Sequence, residues 1–365
     1  MPQGRRHIAG PKPLPALTGL RGVGAVLVVL YHMIYSMRIP ILDEGYMGVD
    51  LFFILSGFIM SHVYGDRVNF ISRREYLDFL KSRLARVYPL HIFTLLLLLL
   101  IVVILPGFSI PYSHARGRFG IGSFVANTLL VQTWGFGYPG SWNGPSWSLS
   151  AEWFAYLCLP VILLPIRLIR TRIAALVASI LSVVVLYSSL RYLGYRSFDT
   201  AIGRAGMLRM LSEFSLGCII YRLYLMPSRN DIMIATSLFI LAVIAAWISP
   251  RPDAFLVIVS ACAVFLGSQS TGIVAWTLSL RFVVFLGDIS FSVYMIHWIV
   301  LQIFNWLTGR GLILAGTWLM TDATLFIIIV CLSYLSYRFI EKPARAWGKA
   351  LGRPTSPATV PVEMS

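Results

Sequence analysis

Apolar runs of about 20 residues alternate along the chain with short polar stretches, and about 20 apolar residues in a helix span the hydrocarbon core of a bilayer. The pattern predicts spans over 17–37, 47–64, 88–106, 147–166, 172–190, 205–225, 231–249, 253–269, 283–303 and 315–337. Runs such as Ile92 to Leu105 are continuously apolar, which argues against the alternating strands of roughly ten residues that build a membrane barrel. Lipid offers no water to an unpaired backbone group, so the spans must be helices. The expected fold is all-α, a polytopic transmembrane helical bundle of about ten crossings. One further apolar piece, Ile121 to Trp134, is short for a crossing and suits a re-entrant or interfacial helix near 121–134.

Charge orients this pattern. With the N-terminus in the cytoplasm and 121–134 not crossing, the basic loops Arg67 to Arg86, Arg167 to Arg172 and Arg338 to Arg353 all fall inside. About 21 Lys and Arg then lie on the cytoplasmic side against about 8 outside, as the positive-inside rule requires. Both termini are expected in the cytoplasm. The outer loop from Arg191 to Arg204 runs against the rule. Residues 1–16 form a cytoplasmic N-terminal segment, 17–343 the membrane domain, and 344–365 a cytoplasmic tail rich in Pro, Thr and Ser and expected to be disordered.

Composition agrees with a membrane protein. The chain is 58% hydrophobic and 12% charged, with mean hydropathy +0.78, where a soluble domain carries about 25% charged residues. The net charge of +15 sits between apolar spans and not on one folded face. It points to topology, anionic lipid or a phosphorylated ligand, and not to nucleic acid. Cys158, Cys218, Cys262 and Cys331 stand singly in apolar runs, so they read as packing residues, and no metal is expected. Nothing before the first span resembles a cleavable signal.

The first span holds the most informative pair. Arg21 and His32 are eleven residues apart. At about 100° per residue they leave the helix within about 20° of one direction, and they stand roughly 16 Å apart along its axis. Ionisable groups in a span are costly, which makes them functional candidates. In the expected topology His32, Asp50, Glu152 and His297 fall at one depth in the outer third of the membrane, and a shared cavity is the economical arrangement. Ser148 lies one turn before Glu152 on the same face. Each has a bland reading as well: a structural hydrogen bond for the histidines, an arginine partner or helix cap for the acids, a helix start for Trp147 and Ser148. Arg83 and Arg86 share a face at the inner end of the third span, with Arg73, Arg74 and Lys81 nearby. Guanidinium forks match phosphate oxygens, although a basic loop also anchors to anionic lipid. Trp134, Tyr138, Trp142 and Trp147 form either an interfacial belt or a wall for a sugar.

These stretches resemble the integral-membrane acyltransferase-3 family, carbohydrate and antibiotic O-acyltransferases. The resemblance rests on LTGLRGVGAVLVVLYH (17–32), GVDLFFILSGF (48–58), RLARVYPL (83–90), WSLSAEWFAY (147–156), LGDISFSVYMIH (286–297) and EKP (341–343). The hydrolase-like domain fused to some members is absent from this sequence. The resemblance implies an acyl-CoA donor, usually acetyl-CoA, as co-substrate with no permanently bound cofactor, and a cell-surface or lipid-linked glycan as acceptor, with a macrolide-type molecule as an alternative. It places the chain in the bacterial inner membrane. The family's paired Arg and His fall on Arg21 and His32, its Arg-x-x-Arg on Arg83 and Arg86, and its Ser-x-x-x-Glu on Ser148 and Glu152. Arg83 and Arg86, with Arg21, would bind the nucleotide phosphates. An extended pantetheine arm, of order 15–20 Å, would bring the thioester to His32. His32 is expected to act as general base or to carry the acyl group itself, with Glu152 or Asp50 orienting it. Ser148, Trp147, His297 and Trp142 would support the site or the acceptor. A transporter or flippase is the rival class. The oligomeric state is not legible.

Overall fold

The computed structural model describes residues 13–33, 40–65, 73–105, 108, 118–269, 271–312 and 318–351. The parts of the expected N-terminal segment and C-terminal tail at 1–12 and 352–365 lie outside them. The described residues form helices and turns with no strand.

Ten long helices stand where the ten spans were expected: α1 (Pro15–Met33), α2 (Met47–Tyr64), α3 (Arg73–Ile104), α4 (Trp147–Ile166), α5 (Arg172–Tyr192), α6 (Arg204–Tyr224), α7 (Asp231–Ile248), α8 (Asp253–Ser268), α9 (Arg281–Gly309) and α10 (Trp318–Ser336). α1, α2, α3, α5, α7, α9 and the helix continuing α10 are long and apolar enough to cross a membrane. α4, with the turn that precedes it, makes an eighth if its two arms, bent by 64°, count as one span. Pro160 explains the bend, because it has no N–H for the carbonyl of Tyr156 and its ring crowds that carbonyl. α6 carries Arg204, Arg209, Glu213 and Arg222, and α8 has 16 residues, so neither meets the same measure.

Between 121 and 134 the helix is shorter than expected, Ile121–Thr128. The chain then turns through Gly135, Gly137 and Gly140, all at positive φ. Asn127 is fully buried there, its amide donating to Ser123 O (2.8 Å) and Ser141 Oγ (2.7 Å).

α1, α2 and α9 form the middle of the bundle, while α5, α7 and α10 turn large apolar residues such as Ile180, Leu241 and Ile327 outward. Such an exposed apolar girdle fits an integral membrane protein. Glycines set the spacing inside. A Cβ on Gly287 of α9 would lie 1.8 Å from Thr18 O of α1, and one on Gly48 of α2 would lie 2.4 Å from Gly24 O. α2 meets α6 in the same way, since a Cβ on Gly57 would lie 1.9 Å from Phe214 O. Backbone against backbone is the packing that small residues permit between membrane helices.

α10 runs on through a π turn at Tyr337–Glu341 into a terminal helix, Lys342–Leu351. Lys342 N–H reaches back five residues to Tyr337 O. Pro343 has no N–H to offer the carbonyl of Phe339, which is the local reason the α-pattern fails. The turn buries Glu341, which accepts from Ser292 Oγ of α9 (2.6 Å) and from Arg345.

Gly287→Ala is expected to destabilise the protein by about 1–3 kcal/mol, because the added methyl has no room between α1 and α9. Gly309→Ala, where nothing lies within 4 Å, should change stability by less than about 0.5 kcal/mol. Unfolding of the purified protein in detergent measures both, and equal stabilities would contradict the contact.

Candidate active site

α1 carries Arg21 and His32 into two different cavities. The first has a volume of about 410 Å³ and is lined by Arg21, Arg83 and Arg86 with Ser56, Glu152 and Tyr156. Arg21 donates through Nη2 to Ser290 Oγ of α9 (3.1 Å), and that hydroxyl donates to Gly287 O (2.7 Å). Arg83 donates through Nη2 to the Tyr64 hydroxyl (3.3 Å), its guanidinium 5.7 Å from the ring centre. Arg86 has no hydrogen-bond partner among the described residues, and the charges of Arg21, Arg345 and Arg83 act on it. Glu152 Oε1 accepts from Ser56 Oγ (2.7 Å) and from the Tyr156 hydroxyl (2.5 Å). Three guanidiniums against one carboxylate leave the chamber positive, with Arg86 free to bind an anion.

The second cavity, about 300 Å³, is lined by His32, Tyr46, Arg118, Trp147, Tyr294 and Trp298, with Arg209 and Asp199 also in its wall. His32 Nδ1 lies 2.9 Å from Val28 O and 3.3 Å from His297 Nε2. His297 Nδ1 lies 3.1 Å from Val293 O. A carbonyl only accepts, so each Nδ1 carries the proton, and His297 Nε2 is left as an acceptor for His32. His32 Nε2 is then the lone pair, as a base requires. The ring is held edge-on to Trp298, centroids 5.2 Å apart, and to Tyr31 at 5.0 Å.

Tyr294 lines both cavities. Its hydroxyl is 2.7 Å from Ser148 Oγ and donates to Pro145 O at 3.0 Å. The two chambers therefore lie back to back with Tyr294 in the wall between them.

The expected meeting of His32, Asp50, Glu152 and His297 does not occur as a foursome. His32 and His297 touch. Asp50 instead accepts from Arg209 Nη2 at 2.6 Å, both side chains 2% exposed. Arg209 also lies over the rings of Trp147 (5.5 Å) and Phe198 (5.4 Å). A desolvated carboxylate takes the guanidinium within reach, and that partner sits 159 residues away in sequence. Glu152 and Ser148 face the arginine chamber, whereas Trp147, one residue and about 100° away on α4, faces His32. Neither carboxylate hydrogen-bonds His32. Trp142 lines neither chamber. It is 2% exposed, packs between Phe119 and Phe124, and donates to Ser123 Oγ (3.1 Å). Sequence reading passed over Tyr294, Trp298 and Arg118. The first two flank His297 in YMIHW and were available as a signal; Arg118 had none. Among the described residues no cluster suited to a metal ion is present.

The acyltransferase-3 family model, described as an acyltransferase domain, matches residues 14–338. Acyltransferase MdmB of Streptomyces mycarofaciens is 26% identical over 392 positions, covering 95% of each chain. YrhL of Bacillus subtilis, named as a candidate peptidoglycan O-acetyltransferase, is 26% identical over 92% of this chain and 55% of its own. O-acetyltransferase OatA of Staphylococcus aureus is 22% identical over 93% of this chain and 58% of its own. The chain thus spans little more than half the length of the latter two. No solved structure matches it.

Asp50→Asn should strand the Arg209 charge and lower stability by about 3–5 kcal/mol. Adding Arg209→Gln should recover more than half of that loss in the same unfolding assay. A catalytic Asp50 would instead lose turnover at unchanged stability, and no change at position 209 would restore it.

Proposed function

This chain belongs to the acyltransferase-3 family, and from that premise we propose that it is a membrane O-acetyltransferase that moves an acetyl group from acetyl-CoA to a hydroxyl of an extracytoplasmic glycan. The observation that carries the reading is the division of α1. Its guanidinium enters a chamber with three arginines, and its imidazole enters a second chamber with a free Nε2. The relatives named as O-acetyltransferases support the acetyl group and the glycan.

In this reading the arginine chamber opens to the cytoplasm and the His32 chamber to the outer side of the bacterial plasma membrane. The basic residues Arg73, Arg74, Lys81, Arg83 and Arg86 on the first half of α3 agree with that orientation. Arg83 and Arg86 hold the phosphates of acetyl-CoA, and Arg21 lends a third positive charge. The pantetheine arm extends toward Tyr294, and displacement of that side chain admits the thioester to His32. His32 Nε2 takes the proton of the attacking hydroxyl as the C–O bond forms. The C–S bond then breaks, and the proton passes from His32 to the departing thiolate to give free CoA. His297 holds the His32 ring and its tautomer throughout, the part an acid plays in a hydrolase triad. Glu152, held by Ser56 and Tyr156, sits in the donor chamber and acts there and not on the imidazole.

His32→Ala is expected to slow transfer of labelled acetyl by about 10²–10⁴-fold while acetyl-CoA still binds. Wild-type transfer by this variant would remove His32 from the mechanism. Arg83→Ala and Arg86→Ala should each weaken acetyl-CoA binding by about tenfold or more in calorimetry, and unchanged affinity would end the phosphate assignment. Tyr294→Ala joins the chambers, so the ratio of acetyl-CoA hydrolysis to transfer should rise severalfold. A ratio equal to that of wild type would show that Tyr294 does not separate donor from water.

A further inference from the structure

Apart from His32, three charged or titratable groups stand out in the His32 chamber, and their circumstances differ. Arg209 is neutralised by Asp50. Asp199 is exposed to solvent. Arg118 is neither neutralised nor fully solvated. Its guanidinium lies 5.8 Å from the Trp298 ring and makes no hydrogen bond among the described residues, and its Nε is buried without an acceptor. Trp298 Nε1 is likewise a buried donor without a partner. Of the tyrosines in this wall, Tyr46 is already committed to Asp253 Oδ1 at 2.8 Å and Tyr294 to Pro145 O at 3.0 Å.

From these contacts we propose that the acceptor bound in the His32 chamber carries an anionic group, a carboxylate or a phosphate, which Arg118 and the Trp298 indole hold beside the hydroxyl to be acetylated. The proposal rests on the acyl-transfer reading and names its acceptor class. A buried cation without a counter-charge is costly. The acceptors left in the wall of this chamber are the His32 Nε2 that serves the hydroxyl and the solvent-exposed Asp199 carboxylate, while Arg118 and Trp298 each hold a buried N–H without an acceptor among the described residues. Such a pair is complementary to oxygens that only accept. Burial draws the Arg118 guanidinium down to about 10, which leaves it charged at neutral pH. The same indole touches both Arg118 and His32. A saccharide bound by its anion beside Arg118 and Trp298 therefore lies close enough to present a neighbouring hydroxyl to the His32 imidazole.

The test uses the full-length protein in detergent with acetyl-CoA and three sugars: N-acetylglucosamine, its 1-phosphate, and N-acetylmuramic acid, which adds a carboxylate. Binding of each sugar without acetyl-CoA is measured by calorimetry, and acetyl transfer is measured by mass spectrometry. At least one anionic sugar should exceed the neutral one in affinity and in kcat/KM. In Arg118→Gln that preference should shrink by about 10- to 100-fold, and Arg118→Lys, with the charge but without the fork, should restore part of it. Preference for the muramic acid identifies a carboxylate, and preference for the 1-phosphate identifies a phosphate. Equal binding of all three, or a preference that survives Arg118→Gln, would overturn the proposal. Arg118-dependent binding with no acetyl transferred to any sugar would keep the anion site and sink the transferase reading instead.

Discussion

Everything in the two chambers depends on how closely α1 lies against its neighbours. Gly22 of α1 and Gly287 of α9 have no space for a Cβ, and neither has Gly48 of α2, where a Cβ would lie 2.4 Å from Gly24 O. At that spacing the polar side chains of α1 reach polar groups on α9. Arg21 finds Ser290, and His32 finds His297. The pairs fix the two helices as parallel. They also differ in span: about 16 Å on α1 against about 10 Å on α9. The long arginine side chain takes up the difference, and an imidazole would be too short to do so. The order Arg then His, and not the reverse, is what this geometry accepts.

The back-to-back arrangement separates two solvent problems. In the proposed reaction the donor brings several negative charges, which the arginine chamber can neutralise without drawing them into lipid. In the same proposal the acceptor is activated by a neutral imidazole in a chamber of its own. A continuous channel would serve the first need and spoil the second, since water would compete for the thioester. The Tyr294 hydroxyl, donating to the Pro145 carbonyl at 3.0 Å with Ser148 Oγ 2.7 Å away, closes the gap. A seal of that kind is strong enough to hold water back and weak enough for a bound substrate to displace.

Much of this was legible before any coordinates. α2 and α4 begin and end where the apolar runs do, and the phase of Arg21 and His32 follows from helix periodicity alone. What escaped is instructive. α3 starts at Arg73, well before its apolar half, because a helix satisfies its own backbone and continues into water through RREYLDFLKSRLAR; hydropathy marks only the part that lipid covers. Asp50 was assigned to His32 by depth, but depth carries no direction around the bundle, and Arg209 lay nearer. Glu152 was assigned in the same way and faces the other chamber for the same reason. Glu341 was visible in EKP, yet its burial depends on the π turn, which aims it at Ser292 and α9.

The last point is why a histidine, and not an acid, stands behind His32. A carboxylate there would be a further desolvated charge inside the bundle, and Arg209 in the wall of the same chamber is already matched to Asp50. Unpaired, it would cost several kcal/mol. A neutral imidazole avoids that cost and still offers the lone pair that fixes the Nδ1 tautomer. It stabilises the imidazolium less than an acid would. In the proposed reaction His32 therefore holds a proton only between the attack of the hydroxyl and the departure of the thiolate. In that interval the reaction is neutral overall, so the bundle never has to bury a lasting charge at His32.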